Sequence, residues 1–330
     1  MNTLTYRLLL LLALSGFAVA SDAADPLPSW NDGDNKSAII SYVQKVTEAG
    51  SSDFVPQADR LAVFDNDGTL WTEAPLPLQV DFMFHEVKRR AAIEPDFAAE
   101  PMVKAALAGD TAKLLENHYA GLLKLLELTH TGITTDEFQR RVKAWIPSFQ
   151  QPKGGKGLAG ATFQPMLELL EYLRANGFKT YIVSGGGIDF MRVFAEQLYG
   201  IPPEQVIGSS MAVKFEMMND AVPTLIKTNE SLFVDDKLGK PVGIYRHIGR
   251  RPIFCGGNSD GDQAMLEYTT IDNPYPSFGL IVHHTDAQRE TAYDKKPPAS
   301  GTLIHALEAA PEQGWHVIDM KADWKTVFKK

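Results

Sequence analysis

The 330-residue sequence contains a single cysteine, Cys255, which excludes a disulfide within the chain whatever compartment the protein occupies. Cys255 ends the apolar stretch Pro252-Ile253-Phe254-Cys255, where a buried structural thiol is favoured over a reactive one. Positive charge is also in short supply. Lys and Arg number 32 against 41 Asp and Glu, a formal net charge of −9. That balance argues against nucleic acid or an anionic membrane as a general partner, because such binding runs on clustered basic side chains. It leaves room for a small phosphate ester in a locally positive pocket. No stretch beyond the N-terminus has eighteen uncharged apolar residues, so no stable membrane insertion is expected of the mature chain. Internal repeats and low-complexity tracts are lacking as well.

Several site patterns start and then fail. Gly154 to Gly160 (GGKGLAG) is glycine-rich but lacks the G-x-x-x-x-G-K-[ST] of a nucleotide-binding loop, so a hinge is the better reading. His85-Glu86 opens a zinc-protease string, but position 89 is Arg. A helix-loop-helix calcium loop needs acids at its first, third and fifth positions, Gly at the sixth and Glu at the twelfth. Counting from Gly68 puts Val63 first and Ala74 twelfth. Counting from Gly261 puts Glu267 twelfth but Gly256 first, so neither loop qualifies.

What is present begins with a secretory signal peptide over residues 1–20. Arg7 flanks the apolar run Leu8 to Ala20, and Ala18-Val19-Ala20 supplies small residues for cleavage before Ser21. The run is shorter than the roughly 20 residues a bilayer span needs. Export to a bacterial periplasm is expected. Residues 21–36, rich in Pro, Asp, Asn and Gly, read as a flexible leader.

Leu61-Ala62-Val63-Phe64 is a short apolar run that stops at Asp65-Asn66-Asp67-Gly68, the pattern of a buried strand ending in a loop. Thr180-Tyr181-Ile182-Val183 stops in the same way at Ser184-Gly185-Gly186-Gly187. It follows a helix that starts at Pro165, buries Met166, Leu169, Leu170 and Leu173, and ends at Gly177. Val206-Ile207, Pro252 to Cys255 and Phe278 to Val282 are further strands. Strands alternating with helices predict an α/β fold with a doubly wound parallel sheet. Residues 76–164 have a helical texture instead. Phe138, Val142, Trp145 and Ile146 share one helix face behind a capping box of Thr134 and Glu137, and Gln151 to Gly160 reads as a loose return. The expected organisation is an α/β core from residues 21–75 and 165–330, with an α-helical cap domain, 76–164, inserted after the first core strand.

Ligands in an open parallel sheet bind beyond the C-terminal ends of the strands, and several polar clusters fall there. Asp65 and Asp67 can converge on a hard cation through oxygen ligands. One can attack phosphorus and the other can serve the leaving alkoxide as a proton donor. Ser184-Gly185-Gly186-Gly187, before a helix, can hold an anion on unobstructed amides. Lys237 or Lys240 can offset phosphate charge, and Lys240 is preferred because Gly239-Lys240-Pro241 reads as a helix start. Gly257-Asn258-Ser259-Asp260-Gly261-Asp262 can complete a metal shell. Each cluster alone is also ordinary turn chemistry; their joint order along the chain is what points to a site. His283-His284, at the end of a predicted strand, either faces the same cleft or is satisfied by backbone. Glu73 is either a contact for a positive part of a substrate or an exposed carboxylate.

These four segments resemble the motifs of the haloacid dehalogenase-like hydrolase superfamily: FDNDGT the first, VSGGG the hydroxyl motif, GKP the lysine motif and GNSDGD the acidic motif. The likeness covers residues 58–75 and 165–270. FQPMLELLEYLRANGFKTYIVSGG is similar to the phosphoserine-phosphatase-like branch, which carries a helical cap after its first strand. The resemblance implies a Rossmann-like hydrolase core and an Mg2+-dependent phosphomonoesterase acting on a small-molecule phosphate ester. Asp65 would be nucleophile and metal ligand, and Asp67 the general acid/base that touches the metal through its carbonyl. Thr69, Ser184 and the Gly185 amide would hold phosphoryl oxygens, and Lys240 would balance charge. An acid at Asp67 favours phosphatase over dehalogenase chemistry. The departure is Gly257-Asn258 where the family has Gly-Asp. Asn258 still offers a neutral oxygen, with Asp262 or Asp260 as replacements. A phosphotransferase, or an exported binding protein without catalysis, are the alternatives on the same scaffold.

Overall fold

The computed structural model describes residues 24–219, 221–295 and 301–329. The predicted signal peptide lies outside the described residues. Among these, seven strands form one sheet in the order β6-β5-β4-β1-β7-β8-β9. They are β1 (Leu61–Phe64), β4 (Lys179–Gly187), β5 (Val206–Met218), β6 (Val222–Phe233), β7 (Phe254–Gly257), β8 (Phe278–His283) and β9 (His316–Asp319). β2 (Gln150–Gln151) and β3 (Gly155–Lys156) pair separately. Neighbours in the large sheet run parallel except β5 and β6.

The sheet is covered on both faces, which is why β1 reads as four apolar residues without alternation. Ala62 and Phe64 enter one cluster with α1 (Asp34–Thr47), while Val63 enters the other. Between β1 and β4 the chain forms α2 (Leu78–Ala91), α3 (Pro95–Ala99), α4 (Pro101–Ala108), α5 (Thr111–His130) and α6 (Thr135–Trp145). Met83, Val87, Phe97, Val103 and Leu125 give this array a small core of its own. The Thr134 hydroxyl accepts from the Glu137 amide at 3.0 Å and starts α6, which buries Phe138, Val142 and Trp145. α7 (Gln164–Ala175) packs on the first face with Met166, Leu169, Leu170 and Leu173. After β4 come α8 (Ile188–Met191) and α9 (Ala195–Tyr199). Phe82 of α2 stacks on Phe190 of α8 with ring centroids 5.6 Å apart, so the inserted helices are anchored beside the end of β4. α10 (Gly239–Ile248), α11 (Gln263–Thr270) and α12 (His305–Gln313) cover the second face through Ile244, Met265, Leu266 and Ala306. No helix among the described residues is long and apolar enough to cross a membrane.

The structure departs from the sequence expectations in three places. The leader is anchored to the core: Leu27 and Trp30 are fully buried, and the Trp30 indole donates to Pro165 O at 2.9 Å. Gln151 to Gly160 is no loose return, because it contains the β2–β3 ribbon and Gly154 lies so close to Gly160 that a Cβ would meet its carbonyl oxygen at 1.6 Å. β5 runs on past Ile207 into a hairpin with β6, and β9 adds an edge. The hairpin bears exposed Val213, Phe215 and Met217, so no burial pattern announces it.

Candidate active site

β1 is the central strand, flanked by β4 and β7, and the loops at the C-terminal ends of these three strands meet. Asp65 follows β1 directly, and its amide donates to Gly256 O at 2.9 Å. Its carboxylate is buried and held by Lys240, whose ammonium lies 2.5 Å from Asp65 Oδ1, 2.7 Å from Asp262 Oδ1 and 2.9 Å from the Val183 carbonyl. All three ammonium hydrogens are thereby used. Burial opposes the charge on Lys240, but Asp262 and Asp65 outweigh it and keep the side chain protonated. One positive charge then serves two buried carboxylates. Burial first, and the neighbouring Asp262 charge, push the Asp65 carboxyl upward against the pull of Lys240. Lys237 is exposed in the turn before α10, at φ 52°, and takes no part.

Asp67 is half-buried at the opening. Its Oδ1 accepts from the Trp71 indole at 2.7 Å, a partner that sequence reasoning missed although it stands four residues on in the same loop. Burial pushes the Asp67 carboxyl up to about 6, opposed by Trp71 and reinforced by the charge of Glu73. Gly68 must be glycine: its φ is +78°, and a Cβ would sit 2.1 Å from Asn258 Nδ2.

The Thr69 hydroxyl is fully buried and donates to Asn258 Oδ1 at 3.1 Å, so it lies against the acidic loop and not in open space. Asn258 Nδ2 donates to Glu73 Oε1 at 3.0 Å. Glu73 is itself buried and also takes the Tyr293 hydroxyl, so it is not an exposed carboxylate. Asp262 Oδ2 accepts the amides of Asn258 and Ser259 at 2.9 and 3.0 Å, which leaves both its oxygens engaged. Asp260 Oδ1 accepts the amides of Ile304 and Ala306 at the start of α12.

Ser184 and the glycines do precede a helix, with Gly187 at the N-cap of α8, but not as the expected loop. They continue β4, and the register jumps from Ser184 opposite Gly208 to Gly187 opposite Ser209, so Gly185 and Gly186 bulge out of the ladder. The reason is β5, which carries on pairing beyond Val183. The Ser184 hydroxyl is buried and accepts the Gly186 amide at 3.1 Å. Gly187 N donates to Gln79 at 2.6 Å, a contact from the inserted helices without any local signal in the sequence. Of the two histidines, His284 lies beneath the β1 loop, with Nε2 2.7 Å from Gly68 O and Nδ1 3.0 Å from Glu290. Its ring stacks on Tyr293 at 4.4 Å. His283 is half-buried, 3.9 Å from Asp294.

The geometry thus brings Asp65, Asp67, Ser184, Gly185, Lys240, Asn258 and Asp262 to one edge of the sheet. No protein of curated function matches the chain. Among solved structures, a conserved functionally unknown protein from Anaerococcus prevotii DSM 20548 is similar with a TM-score of 0.59 and 16% identity, over 92% of this chain and 98% of that one; it shares the fold. A protein with unknown function from Bordetella pertussis Tohama I gives a TM-score of 0.47 and 16% identity over 79% and 98% of the two chains. A phosphoserine phosphohydrolase-like protein from Francisella tularensis subsp. tularensis SCHU S4 gives 0.37 and 17% over 71% and 90%. The sequence profile of haloacid dehalogenase-like hydrolases matches residues 62–267, a span that holds the β1 loop, the glycine bulge, Lys240 and the acidic loop. On that match, which covers more than half of its length, the chain belongs to the haloacid dehalogenase-like hydrolase family.

Proposed function

We propose that this chain is a magnesium-dependent phosphomonoesterase that works through an aspartyl-phosphate on Asp65 and is exported to the periplasm. The export reading rests on the apolar run of residues 8–20 alone. The catalytic reading rests on one observation above the others: Asp65 directly follows the central strand, and its Oδ1 is fixed by a buried lysine 2.5 Å away. That leaves Oδ2 as the attacking atom. It bonds to phosphorus while the ester P–O bond breaks, and the departing oxygen takes the proton of Asp67. Water then attacks the phosphorus of the aspartyl-phosphate and gives its proton to Asp67, the bond to Asp65 breaks, and inorganic phosphate leaves. The Ser184 hydroxyl and the Gly185 amide hold phosphoryl oxygens as charge develops, and the Lys240 charge offsets theirs from behind Asp65. Thr69, bound to Asn258, orients the acidic loop. The helices of residues 76–164 would act as the cap that excludes bulk water.

The residues fit a hard cation. Asp65, the Asp67 carbonyl and Asn258 Oδ1 are oxygen donors, and the surplus negative charge of Asp65 and Asp262 over Lys240 favours one. No cluster of three or more His, Cys, Asp or Glu side chains suited to a metal exists among the described residues, so a cation here depends on the amide of Asn258 and on main chain. With both its oxygens engaged, Asp262 would support this shell from behind, by fixing Lys240 and the Asn258 backbone. A bound magnesium ion would supply positive charge to the phosphoryl group.

The test is phosphate release from 4-nitrophenyl phosphate, with magnesium and after chelation, by the chain from Ser21 and by Asp65→Asn. Loss of about 10³-fold or more in the variant is expected. Activity that persists in folded Asp65→Asn would refute the nucleophile. A folded wild type that releases no phosphate from any ester with magnesium would refute the reading as a whole.

A further inference from the structure

Beside the glycine bulge lies a cavity of about 180 Å³, walled by α5, α6, α8 and the base of the β5–β6 hairpin. Its inner wall is apolar, built from Leu126, Phe138, Phe190 and Met211. At its mouth stand Leu123, Leu232 and Val234, which are 53%, 45% and 51% exposed. Three exposed apolar side chains, one from α5 and two at the end of β6, thus converge on one opening.

Each polar side chain of the lining already has a partner within the protein, Ser209 through the Gly185 carbonyl at 2.8 Å. Lys227 is buried, ion-paired with Asp189 and 4.9 Å above the Phe138 ring. Gln79 Oε1 takes the Gly187 amide, and its Nε2 lies 3.3 Å from His130 Nε2. The Thr129 hydroxyl donates to Leu125 O at 2.7 Å, so it accepts from His130 Nδ1–H at 2.8 Å. His130 Nε2 is then the acceptor for Gln79, and the ring is neutral. Burial, with the Lys227 charge nearby, pushes its pKa down to about 3, in keeping with that bonding.

The cavity adjoins the reacting groups across the glycine bulge. Gly185 and Gly187 line it, and a Cβ on Gly186 would be 3.6 Å from Asp67 Oδ2 and equally far from Gln79 Oε1. We propose that this cavity takes the alcohol half of the phosphomonoester, and that this half is uncharged and apolar, an aryl or short branched alkyl group. The proposal rests on the phosphomonoesterase reading and adds the substrate class. An apolar cavity of about 150 Å³ is known to hold benzene, so a phenyl ring fits the space. An amino acid, a quaternary ammonium group or a sugar would bury charge or hydroxyls against an apolar inner wall, beside polar side chains that are already paired within the protein. Each unpaired polar group costs about tenfold or more in kcat/KM.

The experiment measures kcat/KM with magnesium for phenyl phosphate and isobutyl phosphate against O-phosphoserine, phosphocholine and glucose 6-phosphate. Isobutyl phosphate decides, because its alcohol is as poor a leaving group as those of the polar esters. Both apolar esters are expected to exceed every polar one by about tenfold or more. Leu232→Asp, at a position exposed enough to tolerate the change, is expected to raise KM for phenyl phosphate and narrow that preference. Phe215→Asp, 63% exposed on the same hairpin and outside the cavity, is the control for general damage. Polar esters that match or exceed isobutyl phosphate would overturn the proposal while leaving the phosphatase reading standing. An unchanged KM in Leu232→Asp would also overturn it. Silence on every ester would instead remove the reading on which it rests.

Discussion

Asp67 offers the sharpest check on the chemistry. Burial holds its carboxyl at about 6, so at pH 8 about one molecule in a hundred still carries the proton that an alkoxide leaving group needs. For an alkyl ester, kcat/KM should fall about tenfold per pH unit above that value. Asp67→Asn removes the proton altogether and should cost an alkyl ester about 10²–10⁴-fold. 4-Nitrophenyl phosphate behaves differently, because nitrophenolate leaves without protonation. Its first half-reaction should survive, while hydrolysis of the aspartyl-phosphate, deprived of its base, should slow. Rapid mixing should therefore show a burst of nitrophenolate followed by slow turnover, with phosphate trapped on Asp65. Trp71→Phe deletes the 2.7 Å hydrogen bond that favours the ionised form, so the alkaline limb should move to higher pH. Equal losses on both ester types without a burst, or an alkyl-ester profile flat from pH 5 to 8, would refute the role given to Asp67.

Lys240→Met strands the buried carboxylates of Asp65 and Asp262 and should destabilise the fold by about 3–5 kcal/mol in urea titrations at neutral pH. The loss should shrink in acid, where a stranded carboxylate takes up a proton, and a variant as stable as wild type at pH 7 would count against the shared-lysine geometry. Asp235, fully buried with neither carboxylate oxygen hydrogen-bonded, is raised by burial from 3.8 to about 7. The folded state holds this proton more tightly than the unfolded one, so the contribution is complete below about pH 4 and lost as pH rises through about 7. Asp235→Asn does not titrate, and its stability relative to wild type should climb by up to about 4 kcal/mol between pH 4 and 8. Parallel stability curves for the two proteins would show that Asp235 is not held in this way.

Much of the core was legible because its signals are local. LAVF before Asp65 is a strand that must be apolar on both faces, Pro165 and Gly177 bracket α7, and Gly239-Lys240-Pro241 does open α10. In a parallel sheet, strand direction alone delivers every such loop to the same edge, so Asp65, Ser184 and Asn258 could be gathered without knowing any long-range contact. Ser184 to Gly187 do lead into α8, but as a bulged strand where a loop was expected, for a reason no local pattern contains. β5 continues alongside and draws the glycines into a bulge.

The sequence by itself determined the alternation of the central strands with helices, the carboxylate pair after β1 and a lysine at the head of α10, since these depend on residues within a few positions of one another. Tertiary structure alone decided what those groups touch. Lys237 and Lys240 are near neighbours in the chain, yet the helical turn buries only the second between Asp65 and Asp262. Glu73 supports the site through Asn258 and Tyr293, 185 and 220 residues along the chain, and His284 does so through Gly68, 216 residues away. The cavity joins Gln79 and His130 of the inserted helices to Lys227 of the hairpin. Its charge balance and size arise only where these distant segments dock, and burial and hydrogen-bond pairing across such separations leave no periodic trace in the chain.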